Sequence, residues 1–227
     1  MATARRVPLG IGAQRRLLSD DPALADFVRM ATLAAKGHNT RPSLVRLNDN
    51  LLSILPDMSR RTQVVDPDDH HLYVSLGCAA ENLVIAAGAH GRPSDVTIAN
   101  GPESHIDVRL GTGTATDETL YRAIPYRQST RSAYDGRPLS SNDFAALEHA
   151  AQQDGVSVPF ITDPQDREVI SDFVIEGNSA QMDDPAFLAA LRDWLRFSPD
   201  HAIRQGDGLF SACSGSPIVP RLETKRS

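Results

Sequence analysis

The sequence predicts an α+β fold in which a mixed or antiparallel sheet is flanked by helices. Helical patterns outnumber strand patterns, and the strand patterns occur as hairpins or singly between helices. The clearest strand pattern is the pair 44–47 and 51–55 around Asn48-Asp49-Asn50, which indicates a β-hairpin.

The first helix is predicted to begin at Asp20-Asp21, with Pro22 in its first turn, and to end at Gly37. A polar loop at 38–42 follows and leads into the hairpin. The apolar stripe of this helix has helical spacing and comprises Leu24, Phe27, Val28, Ala31 and Ala34.

The longest helix is predicted from the N-cap carboxylates at 66–69 through His90, where Gly91 ends it. Its second part, 78–87, is apolar nearly all round, which indicates burial on several sides. We therefore expect this helix to be the spine of the fold.

Shorter patterns complete the chain. They predict, in order, strands at 95–99 and 105–110, a helix at 117–126, a helix capped by Ser140-Ser141, a strand at 156–162, and helices opened by Asp163-Pro164 and Asp184-Pro185. The last helix carries an apolar stripe through Trp194, and the tail after Arg204 is rich in turn residues.

This order predicts three regions: a flexible basic arm at 1–19, a first half at 20–116 and a second half at 117–227. Each half contains a helix, a polar loop and then sheet, which suggests a coarse duplication. No short-period repeat is visible.

Composition excludes several classes of function. A net charge of -6 disfavours nucleic-acid partners, and two distant cysteines give no support to a disulfide framework. Arg5-Arg6 lacks the apolar stretch of an export signal, and no membrane anchor is visible, so we expect a cytoplasmic protein. His70-His71 lacks the i, i+4 spacing of helical metal ligands, and no metal site is predicted.

Two segments have the residue types of a ligand site. Arg127, Ser129 and Arg131 combine two guanidinium groups with a hydroxyl, a set suited to a phosphate or, alternatively, to a solvated basic turn. The loop 37–42 sets Asn39 between a glycine and a proline, which suits the polar edge of a planar ring or an ordinary helix-to-strand turn.

Taken together, three segments resemble the nitroreductase family. The string 31–42 is similar to its flavin-contacting loop, 66–83 to its central helix, and Arg127-Gln128-Ser129-Thr130-Arg131 to its Arg-x-Ser-x-Arg phosphate motif. Their order resembles the Acg-type branch, in which two nitroreductase halves lie in one chain, as a pseudo-dimeric monomer or a homodimer. The resemblance covers roughly residues 20 to 222.

The resemblance implies a bound FMN at the junction of two related halves, with NAD(P)H as electron donor and a small nitro compound or quinone as substrate. Arg127, Ser129 and Arg131 would hold the flavin phosphate. Asn39, with His38, Thr40 and Arg41 beside it, would face the isoalloxazine. The hydride chemistry would be the cofactor's, so no catalytic side chain is predicted.

The sequence also departs from the family pattern. Arg41 stands where the family usually has Gln, and Ser43 where it usually has Trp. Family members continue beyond Leu222, so the resemblance implies an incomplete C-terminal half. Two alternatives to an enzyme follow: a flavin-binding protein without turnover, or a truncated, inactive family member.

Overall fold

The computed structural model describes residues 15–101, 104–129, 131 and 133–214. Most of the predicted arm, Thr130 of the phosphate motif and the tail from Gly215 lie outside the described residues. The contacts divide the chain into two compact units, Met1–Arg131 with Ala190–Ser227, and Ser132–Ala189. The predicted α+β class is confirmed, while the duplication into halves at 20–116 and 117–227 stays a prediction.

The first unit is built on a four-stranded antiparallel sheet in the order β1-β2-β4-β3. Its strands are β1 (Ser43–Asn48), β2 (Leu51–Pro56), β3 (Ser94–Ala99) and β4 (His105–Leu110). The predicted hairpin and both later strands are confirmed. β2 and β4 are central and pair Leu52 with Val108, both fully buried.

Helix α2 (His70–Ala89) packs on this sheet and against α1 (Leu24–Ala31). It begins directly after the predicted N-cap carboxylates at 66–69, and Asp69 is its N-cap residue. Its buried face carries small and aliphatic side chains, among them Leu76, Leu83 and Ala86. Close approach of α1 is possible because alanines lie at the contact, and the Asn82 carboxamide donates to the Met30 carbonyl at 3.2 Å.

The first helix is shorter than predicted at both ends. Asp20-Asp21 does not cap it; instead, the Asp26 carboxylate accepts the Ala23 N–H at 3.0 Å. After Ala31 the backbone tightens into i to i+3 hydrogen bonds, from Leu33 to Met30 and from Ala34 to Ala31. The helix therefore ends six residues before Gly37, and the intervening segment belongs to the loop.

Two further segments complete the first unit. Helix α3 (Thr119–Ala123) is followed by a 3₁₀ turn at Ile124–Tyr126, close to the predicted helix at 117–126. The Tyr121 hydroxyl accepts the Leu18 N–H at 2.6 Å, which holds the last residues of the predicted arm to α3. Near the C-terminus, β5 (Leu195–Arg196) and β6 (Leu209–Phe210) form a parallel pair around α7 (Pro199–Gln205), a helix that the sequence patterns did not predict.

The second unit contains α4 (Ser141–Ala150), α5 (Pro164–Met182) and the first part of α6 (Pro185–Trp194). The predicted caps are confirmed, since Ser140 and Asp163 each accept backbone N–H groups. The strand predicted at 156–162 is wrong: within the described residues, Val156 forms an isolated bridge to Gln153 and the segment pairs with nothing further. β-branched residues favour a strand only where a neighbouring strand supplies hydrogen bonds.

Among the described residues one helix, α2, is long and apolar enough by length and composition to cross a bilayer. Half of its apolar window is buried inside the protein. A central helix covered by α1 and the sheet has the same composition, because its neighbours replace water on several sides.

Candidate functional site

The loop between α1 and β1 has an unusual backbone conformation. His38, Asn39 and Arg41 have φ values of 47°, 52° and 54°, in the left-handed region that favours glycine. Left-handed conformations cost a non-glycine residue about 1 kcal/mol or more, so the loop needs compensating contacts. The Thr40 N–H supplies one by donating to the Gly37 carbonyl at 3.0 Å.

Asn39 supplies the principal compensating contacts, to the turn between α7 and β6. Its side-chain amide donates to the Gly208 carbonyl at 3.1 Å, and its own carbonyl accepts the Gly208 N–H at 3.1 Å. The Asn39 side chain, which was predicted to face a flavin, therefore hydrogen-bonds Gly208, a residue 169 positions away in the sequence. Contact of Asn39 with a ring stays a prediction.

The same turn carries a buried carboxylate, Asp207, between two arginines. Arg60 Nη1 lies 2.6 Å and Arg196 Nη2 lies 2.8 Å from its two oxygens. Burial acts to raise the pKa of Asp207, but the hydrogen bonds and charges of Arg60 and Arg196 outweigh it and the pKa is lowered. Arg60 also donates to the Thr40 carbonyl at 2.9 Å, so this network reaches the Asn39 loop.

The Trp194 ring lies close to both of these arginines. The guanidinium carbons of Arg60 and Arg196 are 5.8 Å and 5.9 Å from the ring centroid, within the range of a cation–π contact. Trp194 is half-buried. Asp207 and Arg196 are both buried, and low solvent exposure strengthens their ion pair.

The predicted phosphate motif lies beside the Asn39 loop. Arg127 Nη2 donates to the Leu33 carbonyl at 3.2 Å, and Nη1 lies 3.5 Å from the Ser129 hydroxyl. Arg131 is close enough to His38 to lower its pKa, although burial is the larger cause and His71 adds to it. The structure thus brings Arg127 to the residues just after α1, with Ser129 beside Arg127 and Arg131 within electrostatic range of His38.

Arg15 fastens the motif from its other side. Its Nη1 donates to the Pro125 carbonyl at 2.6 Å and to the Arg127 carbonyl at 3.3 Å. Both acceptors are backbone carbonyls, so these bonds do not use the Arg127 guanidinium, which contacts Leu33 and Ser129.

Lys36 joins this basic cluster, and the sequence patterns gave it no role. Its ammonium donates to the Thr32 carbonyl. Burial lowers the pKa of Lys36 to about 8, with Arg41 and Arg127 adding to the effect and Cys78 opposing it. Lys36 lies five residues after the end of α1, and its proximity to Arg127 depends on the fold.

Arg41 and His71 are the remaining charged residues near the loop. The Arg41 guanidinium lies beside Gly206, at the same turn that Asn39 contacts. His71 Nδ1 is 3.0 Å from the buried Asp66 carboxylate. No group of three or more His, Cys, Asp or Glu residues suited to a metal ion occurs in the described part of the chain.

A small cavity lies under the loop, lined in part by Gly37, Thr40, Arg60, Asp66 and Ser75. Its interior is about 10 Å³, room for about one water molecule. An isoalloxazine ring cannot be enclosed there.

Two curated relatives bear on the nature of this site. Both are Mycobacterium tuberculosis proteins, from strains CDC 1551 / Oshkosh and ATCC 25618 / H37Rv, and both carry the name "Putative NAD(P)H nitroreductase". Each is 29% identical to this chain over 154 residues. The match covers 65% of this chain and 44% of each relative, so it spans less than half of the relatives' length.

Comparison with models of known protein families gives no match. The two relatives nevertheless support the resemblance to the nitroreductase family that the motifs indicate. This similarity does not test the Acg-type branch, the bound flavin or the individual site residues, and these stay predictions.

Proposed function

We propose that this chain is an FMN-dependent NAD(P)H oxidoreductase of nitroreductase type, which reduces a small nitro compound or quinone by two electrons. The observation that carries the proposal is the convergence of the Arg127–Arg131 turn with the 36–41 loop at the end of α1. The similarity to two proteins named as NAD(P)H nitroreductases supports the same reaction class.

The donor chemistry of the cluster fits a flavin phosphate. Within the described residues, Lys36, Arg127 and Arg131 form no ion pair with a carboxylate, so their charge is uncompensated by acidic side chains. Two guanidinium forks and the Ser129 hydroxyl are the donors that phosphate oxygens accept. Arg127, Ser129 and Arg131 would hold the phosphate.

The loop residues would meet the ring of the cofactor. His38, Asn39, Thr40 and Arg41 offer backbone amides and polar side chains within one rigid turn. Asn39 is fixed by Gly208, so its carboxamide would present a defined orientation. Bound FMN would supply the hydride chemistry, and the chain would supply position and electrostatics.

Comparing FMN with riboflavin tests the phosphate assignment, because riboflavin lacks that group. We expect the wild-type protein to bind FMN more tightly than riboflavin. The double variant Arg127→Ala, Arg131→Ala should weaken FMN binding by about 1.5–3 kcal/mol for each charged hydrogen bond lost, and riboflavin binding much less. Flavin absorbance and fluorescence titrations give both affinities.

Arg122→Ala is the matched control, since Arg122 is an exposed arginine on α3 that pairs with Glu118 at 2.5 Å. It should leave both affinities unchanged. A melting curve for each variant separates loss of binding from loss of folding. If the double variant keeps the wild-type preference for FMN, the phosphate assignment is wrong.

A flavin-binding protein without turnover is the second candidate. Ser43, in place of the family's usual tryptophan, favours it. Adding NAD(P)H anaerobically to the flavin-loaded protein distinguishes the two. Bleaching of the flavin band supports the oxidoreductase, and a persistent band supports binding alone.

A further inference from the structure

The turn 206–208 lets the backbone of Gly208 pair directly with the loop 37–42. Gly208 has a φ of 75°, and a Cβ there would lie 2.5 Å from the Trp194 carbonyl oxygen and 2.8 Å from Cζ of Arg196. A side chain at position 208 therefore has neither the space nor a favourable backbone conformation. With glycine, the N–H and the carbonyl of residue 208 both bond Asn39, at 3.1 Å each.

A second contact holds the loop through its next residue. The Thr40 carbonyl accepts a hydrogen bond from Arg60 Nη1 at 2.9 Å, and the same nitrogen is 2.6 Å from one oxygen of Asp207. Arg196 Nη2 is 2.8 Å from the other oxygen of Asp207. Two consecutive residues of the loop are thus tied to two consecutive residues of the turn, Asn39 directly and Thr40 through Arg60.

The conformation of the loop needs such external contacts. Three of its non-glycine residues, His38, Asn39 and Arg41, have left-handed φ values. A segment with several residues of this kind persists only where its surroundings fix it. Within the loop, the Thr40 N–H donates to the Gly37 carbonyl at 3.0 Å, a bond that closes a single turn. One turn is a weak restraint, so contacts from outside the loop decide its conformation.

We propose that Arg60 and the turn 206–208 are positioning groups, which fix the loop 37–42 before a flavin ring binds against it. The inference rests on the proposed function, in which this loop meets the ring of the cofactor. A loop already held in its binding conformation loses less conformational entropy when a ligand binds. Affinity for the ring should therefore depend on residues that act through the loop.

Positioning of the ring differs measurably from direct contact with the phosphate. FMN and riboflavin share the ring, and FMN alone of the two carries the phosphate. A loosened loop should weaken the binding of both flavins by the same factor, so that the ratio of their affinities is unchanged. The variant Arg127→Ala, Arg131→Ala should instead lower that ratio, because it removes donors to the phosphate.

Hydrogen exchange of the flavin-free full chain tests the positioning itself. Arg60→Met removes the donor to Thr40, and Asn39→Gly removes the side-chain donor to Gly208 while it still allows the left-handed conformation. In both variants we expect the amides of 38–41 and of Gly208 to exchange about tenfold faster, relative to α2 and corrected for the intrinsic rate of each sequence. Arg60→Lys keeps the charge and a donor, and it should restore most of the protection.

Arg61→Met is the matched control for the loss of an ion pair. Arg61 is the next residue after Arg60, and its Nη2 lies 2.6 Å from Asp69, the N-cap residue of α2. The variant therefore removes an arginine–aspartate pair of the same length that includes no residue of the loop or of the turn. Its loop amides should exchange as they do in the wild type, relative to α2.

Titration with FMN and with riboflavin tests the consequence for binding. We expect Arg60→Met and Asn39→Gly each to weaken both flavins by about fivefold or more, at an unchanged ratio of the two affinities. The double variant should bind little more weakly than the weaker single variant, because both changes release the same loop. Fully additive losses, or a change in the ratio, would overturn the proposal.

The two measurements separate this inference from the proposed function. If the loop exchanges faster in the variants but the wild type binds no flavin, the proposed function fails and the positioning of the loop stands. If the wild type binds flavin but loop exchange is unchanged in Arg60→Met and Asn39→Gly, the positioning fails and the flavin site stands.

Discussion

At the scale of single residues, Asp207 connects distant parts of the chain through two ion pairs. It is buried, and it neutralises two arginines that come from distant parts of the chain, Arg60 and Arg196. Removing one partner of a buried ion pair leaves the others charged and desolvated, which is more destabilising than the pair itself is stabilising.

We therefore expect Asp207→Asn to lower the free energy of unfolding by about 3 kcal/mol at pH 7, since two arginines lose their counter-charge. Urea denaturation followed by circular dichroism measures the change. Asp200→Asn, an exposed aspartate on α7, is the control and should alter stability by less than about 0.5 kcal/mol. Equal stability of the two variants would show that the network contributes little.

The Asp207 network should also depend on pH. The pKa of Asp207 is lower in the folded protein than its ordinary value of 3.8, so the folded state favours the carboxylate. Its contribution is complete above about pH 4 and is lost as pH falls through the folded pKa. We expect the stability difference between wild type and Asp207→Asn to shrink below pH 4, as measured by urea denaturation across that range.

Lys36 should give the same direction of dependence at higher pH, because its folded pKa is also lowered, to about 8 from 10.5. Between these values the unfolded chain binds more protons than the folded one, so stability rises with pH. Lys36→Met and Lys36→Arg should each remove this rise, since neither side chain changes its charge between pH 8 and 10. Denaturation series at pH 7, 8.5 and 10 test this; an undiminished rise in both variants contradicts it.

At the scale of elements, the start of α2 depends on one carboxylate. Asp66 is buried, and its oxygens accept the His71 N–H at 2.9 Å and the Leu72 N–H at 3.0 Å. Burial would raise the pKa of Asp66, but these hydrogen bonds and the His71 ring lower it. Two of the unpaired N–H groups at the helix start are thereby satisfied.

Asp66→Ala should lower the free energy of unfolding by about 2 kcal/mol, because a buried cap is lost and two amides are left without acceptors. Asp68→Ala is the matched control: Asp68 is exposed and accepts the His70 N–H at 3.3 Å. Urea denaturation of both variants gives the comparison. A larger loss of stability in Asp68→Ala than in Asp66→Ala would show that Asp66 is not the main cap of α2.

At the scale of the whole molecule, the two units differ in how well they bury apolar side chains. The first unit has a continuous core that includes Phe27, Leu52 and Leu83. In the second unit, Val169, Phe173 and Val174 are all exposed, Phe173 by 69%. Local stability follows buried apolar contact, so the units should open with different free energies.

Hydrogen exchange detected by mass spectrometry checks this difference. We expect slow amide exchange in α2, β2 and β4, whose hydrogen bonds lie in the core, and exchange faster by at least tenfold in α4 and α5. Peptides from the sheet provide the internal control for global unfolding. Equal protection in α2 and α5 would contradict the expectation.

The sequence by itself determined the local elements. N-cap carboxylates and a terminal glycine located α2, two apolar runs around a polar turn located the hairpin, and Ser140 and Asp163 marked helix starts, because these signals act over a few residues. They failed where a neighbour decides the outcome: 156–162 has strand composition but no partner strand in the described structure, and α1 ends early through tightened backbone turns.

Tertiary structure alone decided the site. The motifs identified Arg127, Ser129, Arg131 and the Asn39 loop as candidates, yet residue order does not show that Arg127 reaches Leu33 or that Asn39 is held by Gly208. Lys36 and Asp207 had no distinguishing local pattern. Their pKa values are shifted by burial and by charged residues from remote positions in the sequence. Those residues come close to Lys36 and Asp207 only when the chain is folded.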